Sequence, residues 1–481
     1  MTTTKRIVES ILTLVVLTLL VTSVTGSIVE SEEVPKTKII SDAIFSIDGA
    51  TLDADLLKSE RFTDAVSFDL DSRKLNIPTT VERYDLVAFD MTQMNTLSKK
   101  SMPVLINNKE YEVVLERLNF ENIDDDINSY LGHVKGIDGS SVLITFDESM
   151  GKEIVQGHIQ LADETIYIVP VLSRADGLKT NYPLHAIYSS KNVVELAENP
   201  DEIMLSDTTT QSMCEVVIPV STNSPSIDVR ENTQTRASEL DWATVTVLVA
   251  TDNEFYSSET NWVSSAQSYM AGAASQYQRD DIRVDLTVVS YDASKRNILS
   301  ADPRKTTDPL QMFYAIFTES YLASKNADIA VYLGGNDNCG DGDVEDGNAD
   351  GTAQGIGVQY FSPKKYNNGY AWCQMVADSN PPVVGWLYDG SYRARMYCVI
   401  HEIGHIFNAH HELELDEMDS TRTNRAYSWY STNGMQYTVM WSSYSGSRNM
   451  FDYSSPSYNG DSTHDNAGAI RAVKHEIASY R

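Results

Sequence analysis

Eleven residues constrain this chain more than any others. Positions 401 to 411 read HEIGHIFNAHH, with imidazoles at 401, 405, 410 and 411 and a carboxylate at 402. On a helix, residues four apart share one face a turn apart, so His401 and His405 project together. That separation suits two nitrogens on one zinc ion at about 2.0–2.1 Å. Glu402 stands beside them, able to hydrogen-bond a water on the metal without being a ligand. His411 reaches the same point only if the helix ends and the chain turns sharply near Asn408. Asn is the non-glycine residue best suited to the left-handed conformation such a turn needs. Three neutral imidazoles leave a fourth position open, the arrangement of a catalytic rather than a structural site. His410 is a rival third ligand, but it points away from where His411 points.

The rest of the chain has three parts before that segment. Lys5 and Arg6 precede an apolar run from Ile11 to Val24 that ends at Thr25, Gly26 and Ser27. A basic start, a short apolar stretch and small residues make residues 1–27 a secretory signal peptide. The run is about 14 residues, short of the ~18–20 of a membrane span, and no later segment is apolar enough to cross. The expectation is a secreted protein, with a signal-anchored cell-surface form as the alternative. Residues 28–200 alternate with period two, as in YEVVLERLNF (111–120), SVLITF (141–146), IVQGHIQLA (154–162) and ETIYIVPV (164–171), which predicts a β-rich domain. Residues 201–237 lie in a polar stretch rich in Ser, Thr and Asn, with Pro219 and Pro225, and read as an extended linker.

From 238 to 481 strands alternate with helices. Strands are expected at 243–251, 282–291, 327–335, 355–361 and 371–377, and helices at 260–278 and 309–325. This predicts an α+β domain with a mixed, mostly parallel twisted sheet. The formal charge is −31, from 37 basic and 68 acidic side chains. No basic footprint for a phosphate backbone is present, so nucleic-acid binding is set aside.

HEIGHIFNAHH resembles the metzincin zinc signature HExxHxx(G/N)xxH, most closely that of the adamalysin/reprolysin group, including its ADAMTS-like members. The resemblance implies a zinc endopeptidase in which Glu402 is the general base and His401, His405 and His411 hold zinc. It implies a methionine turn beneath the metal at Met440, in QYTVMWSS. Protein or peptide substrates would lie along an edge strand, GIGVQYF, with Gly355, Ile356, Gly357 and Val358 pairing main chain to main chain. MFDYSSPSYNG (450–460) and the segment after it resemble the specificity wall and closing helix. Glu412 follows the third histidine where the family usually has Asp, which leaves the subfamily open. A gluzincin would need a downstream glutamate ligand, yet no Glu lies between Glu417 and Glu476.

LGHVKGIDGSSVLITF and VQGHIQLADETIYIVPV are similar in residue order to the β-rich prodomain of these proteases. The chain's own prodomain is then an expected inhibitor. Cys214, in QSMCEVV, resembles a cysteine switch whose thiolate would take the open zinc position in a latent form. A disulfide from Cys214 to Cys339, Cys373 or Cys398 is the other reading, since an exported protein with four cysteines often pairs them. A bridge from Cys398 to Cys373 or Cys339 would brace the first histidine. Activation would need a cut in the linker, where Arg230 and Arg236 are available to an unknown protease. Asp346, Asn348 and Asp350 match the start of a calcium loop, but Gly357 stands where its bidentate glutamate belongs, so calcium and a solvated turn both stay open. A reading from another class, an exported metzincin-fold binding protein without turnover, would be marked by a lost base or ligand. Glu402 and all three histidines are present.

Overall fold

The computed structural model describes short stretches between 46 and 87, most of 101–170, 185–193, most of 241–299, 309–335, 351–354, 369–376, 390–412, 423–431, 434–441 and 448–480. The chain divides into a unit Met1–Lys38, outside those residues, and a unit Ile39–Arg481. The predicted signal segment, Cys214, Cys339, Arg230, Arg236, Asp346, Asn348, Asp350 and Gly355–Val358 all lie outside the described residues. Among the described residues no helix is long and apolar enough to cross a membrane.

The N-terminal part is all antiparallel. After a two-residue pair, β1 (Ser46–Ile47) and β2 (Ala50–Thr51), come β3 (Asp85–Val87), β4 (Ser101–Ile106), β5 (Lys109–Arg117), β6 (Ile127–Val134), β7 (Ser141–Asp147), β8 (Ile154–Gln160), β9 (Thr165–Pro170) and β10 (His185–Ser189). From β4 to β10 each strand pairs with the next, and β3 closes onto β10. The four predicted strands correspond to β5, β7, β8 and β9 within a few residues.

The C-terminal part builds its sheet from β11 (Ala243–Thr251), β12 (Val284–Asp292), β13 (Ile329–Gly334), β14 (Gly351–Gln354) and β15 (Tyr370–Gln374), in the order β12-β11-β13-β15-β14. All pairings are parallel except β14 with β15. The sheet is therefore mixed and mostly parallel, as its alternation with helices requires. Among the described residues β14 is an edge strand; the expected strand Gly355–Phe361 that follows it lies outside them. One sequence expectation shifts. The single helix expected over 309–325 is two, α4 (Pro309–Ile316) and α5 (Glu319–Ser324), because the backbone is extended at Thr318, where the second begins.

Earlier in the chain stand α1 (Asn253–Ser258), α2 (Trp262–Tyr277) and α3 (Arg296–Leu299). Helix α2 is buried nearly all round, from Ser264 to Ala274. Its small Ser, Ala and Gly residues, interleaved with Gln267, Tyr269 and Met270, leave no polar face for water over that stretch. It packs against β6, β7 and β8 on one side and against α6 (Tyr392–Ile406) and β12 on the other. One apolar cluster runs from Val113 and Ile144 through Tyr269 and Ala273 to Ile400 and Phe407. The hairpin β16 (Ser428–Ser431) and β17 (Gly434–Tyr437) and helix α7 (Asn466–Ile477) complete the chain.

Candidate metal centre

Helix α6 starts where Ser391, in extended backbone, accepts the Ala394 N–H on its hydroxyl at 3.2 Å. A buried ion pair between Arg395 and Glu259 fixes its first turn. The far end carries the decisive turn. Asn408 adopts φ +65°, the left-handed value expected of it. Ala409 N–H reaches back to the Gly404 carbonyl at 3.0 Å and Asn408 N–H to that of His405 at 3.1 Å. This is the Schellman pattern, which pairs the orphan carbonyls and reverses the chain. The side chains of Asn424 and Asn466 then hold the returning strand. Asn424 Nδ2 donates to the Asn408 carbonyl at 2.8 Å. Asn466 brackets His410, accepting its N–H and donating to its carbonyl, each at 3.0 Å.

The turn brings His411 to the helix. The Nε2 atoms of His401, His405 and His411 stand 3.0, 3.0 and 3.1 Å apart, and all three rings are buried. His410 does not join them; its Nε2 lies 3.2 Å from Asn408 Oδ1. The rival ligand is thereby displaced by the geometry of the turn.

The other ring nitrogens show what these Nε2 atoms are for. His401 Nδ1 lies 2.7 Å from the Val439 carbonyl and His405 Nδ1 2.9 Å from that of Ala409. A carbonyl only accepts, so Nδ1 carries the hydrogen and Nε2 a lone pair. Burial keeps the rings neutral: it lowers the His401 pKa to about 4, and that of His405 well below its usual value with help from its imidazole neighbours. Lone pairs converging at 3 Å repel unless a cation sits between them. Ligands at about 2.0–2.1 Å in tetrahedral array stand about 3.3 Å apart, close to the observed triangle. The residues fit a metal, and among the described residues this is the one such cluster.

Beneath the triangle, Met440 and Tyr453 are packed against Gly404. A Cβ there would fall 2.6 Å from Met440 Sδ and 2.8 Å from Tyr453 Cε1. Tyr453 also donates to the Ile400 carbonyl at 2.5 Å. Glu402 is wholly buried on the same helix. Gly404, Asn424, Val439, Tyr453 and Asn466 were not singled out from the sequence. Only Gly404, inside a helical pattern, carried a local signal. Cys373 and Cys398 are both buried and carry thiols rather than a bridge to each other, so that version of the expected brace is not formed.

A mostly parallel sheet, a helix bearing two histidines and a third returned by a left-handed turn form a centre that fits a metal ion, as in a metallopeptidase. Residues 242–454 match the family model Reprolysin_5, metallo-peptidase family M12, whose members use zinc. This stretch covers the C-terminal sheet, the histidines and Met440. A crystal structure of metalloproteinase-II from Bacteroides fragilis is similar at a TM-score of 0.41 and 12% identity, covering 78% of this chain and 95% of that one. No curated protein matches the sequence.

Proposed function

We propose that the chain is a secreted zinc endopeptidase of metzincin type, made as a zymogen. The observation that carries the reading is the triangle of Nε2 atoms from His401, His405 and His411, with Glu402 buried on the same helix. Zinc held there would supply a Lewis acid for the scissile carbonyl and a water made acidic near neutral pH. Glu402 takes the water's proton and passes it to the leaving amine. The backbone carbonyls of Val439 and Ala409 hold the two helical imidazoles in the tautomer that presents Nε2. Met440 supports the helix from below, through Gly404. Substrate is an extended segment of protein or peptide aligned on the sheet edge near β14.

The N-terminal sheet is the prodomain of this reading, residues 1–27 its signal peptide and Cys214 the group that closes the site before the linker is cut. The test is zinc content and casein cleavage of the exported protein, beside Glu402→Ala, before and after limited proteolysis of the linker. One zinc per chain, with activity that appears only after the cut and is absent in the variant, is the expected result. Cys214→Ala is then active uncut. Zinc bound without peptide cleavage under any treatment overturns the peptidase reading in favour of a binding protein.

A further inference from the structure

The N-terminal sheet is tied to the C-terminal half by main chain as well as by apolar packing. Val288 of β12 donates its N–H to the Phe120 carbonyl at 2.7 Å, and Glu121 bridges Val288 in parallel register. The stretch around Phe120 thus extends the C-terminal sheet on the edge opposite β14. Next to that bond Glu121 meets α2. Gln267 Nε2 donates to Glu121 Oε1, and also to the Ile127 carbonyl at 3.1 Å. Gln267 is fully buried, and its Oε1 has no hydrogen-bond partner. A buried acceptor left unpaired forfeits its hydration with nothing in return. An ionised carboxylate beside it has no hydrogen to offer; a protonated one has.

We propose that Glu121 carries a proton in the assembled protein and donates it to Gln267 Oε1, so that carboxyl and amide form a two-bond pair that latches the N-terminal sheet to α2.

The surroundings favour the neutral acid. Burial, then the Asp125 carboxylate, raise the Glu121 pKa to about 8, against the Tyr291 hydroxyl and the Arg117 guanidinium. Tyr291 donates to Glu121 Oε2 at 3.4 Å. Asp125 and Glu148 are raised too, chiefly by burial and with Asp126 and Asp147 adding to it, so acids crowd this end of the sheet. Their oxygens do not form a cation site, because no three of them come within 4.8 Å of one another. From the C-terminal side the groups facing Glu121 are Gln267 of α2 and Tyr291 of β12.

The sign follows. With the sheet undocked, Glu121 returns towards the ordinary 4.5, so docking takes up a proton between that value and about 8. Docking is at full strength below the window, weakens about tenfold per pH unit across it, and weakens no further above it. Helix α2 links the latch to the histidine helix, with Ser268 Oγ 3.0 Å from Tyr392 Oη and Gly272 against Met396. Any effect on latency rests on the zymogen reading above; the latch itself does not.

Hydrogen exchange at the Val288 amide of the full chain, corrected for the intrinsic rate, reads the docking directly. Its protection should fall about tenfold per pH unit from roughly pH 5 to 8 and then level off. In Glu121→Gln, which preserves both bonds as an amide pair, it should stay flat. Constant protection in the unmodified chain overturns the proposal by itself, whether or not the variant folds. So does a variant whose slope equals that of the unmodified chain. Peptide cleavage is not measured, so failure of the peptidase reading leaves this result untouched.

Discussion

Two polar centres of this protein, one buried and one half-buried, obey one rule and reach opposite needs. At the histidine triangle, burial strips water from bases and lowers their pKa, leaving lone pairs that require a cation. At Glu121, burial strips water from an acid and raises its pKa, leaving a carboxyl that keeps its proton. Desolvation drives both sites to neutrality. What differs is the second partner. Carbonyls at Val439 and Ala409 fix the hydrogens on the far side of the imidazoles, whereas an amide with an unmatched oxygen stands before the carboxyl. The same penalty therefore builds a metal centre in one place and a proton-binding contact in the other.

The comparison breaks most visibly if the histidine centre works without its carboxylate. Glu402→Gln keeps size and burial but cannot accept a proton. It should retain the zinc yet lose peptide cleavage by about 10³-fold, within the span of general-base contributions. Metal analysis beside a kcat/KM measurement checks both halves. Near-normal turnover would mean that Glu402 is packing, and the base must be sought elsewhere.

A smaller effect separates the rigid centre from the titrating one. Gly404→Ala would drive a Cβ into Met440 Sδ and Tyr453 Cε1. Overpacking of this kind costs about 1–3 kcal/mol, and here the strain falls on the turn between His401 and His405. Chemical denaturation should show that loss, with weaker zinc retention against a chelator. The pH dependence of Val288 exchange should be unaltered, since Glu121 lies in the other centre. A change in that slope would mean that the two centres are one coupled unit.

These residues also show how far the sequence could be read. Histidines four apart and an Asn before the third announced the triangle, because helix geometry and left-handed backbone are local physics. Strand β11 was legible to the residue for the same reason: a run of β-branched and apolar residues needs no partner to be recognised. The carbonyl of Val439 and the amide of Asn466 were not legible, because backbone atoms and distant amides reach the site only through the closed fold. The short edge strand at 351–354 was not legible, since an edge is defined by the neighbour it pairs with, here Cys373 opposite Gly351. The contact of Glu121 with Gln267 spans 146 residues and leaves no local trace.

The finest test concerns the turn itself. Asn408 holds φ +65°, where a side chain with a Cβ is strained and glycine is not. Its Oδ1 also faces His410 Nε2 at 3.2 Å, and its carbonyl receives Asn424. Asn408→Gly should therefore keep the left-handed turn, stability and zinc affinity within about 0.5 kcal/mol, the ordinary scale of a tolerated substitution. Asn408→Ala keeps the carbonyl but places a methyl in the disfavoured region, at a cost of about 1 kcal/mol. Because that cost is met at the hinge between His405 and His411, it should appear as faster zinc loss as well as a lower melting temperature. Equal behaviour of the two variants would show that the Schellman bonds from Ala409 and Asn408, rather than the identity of the residue, set the angle at which His411 returns.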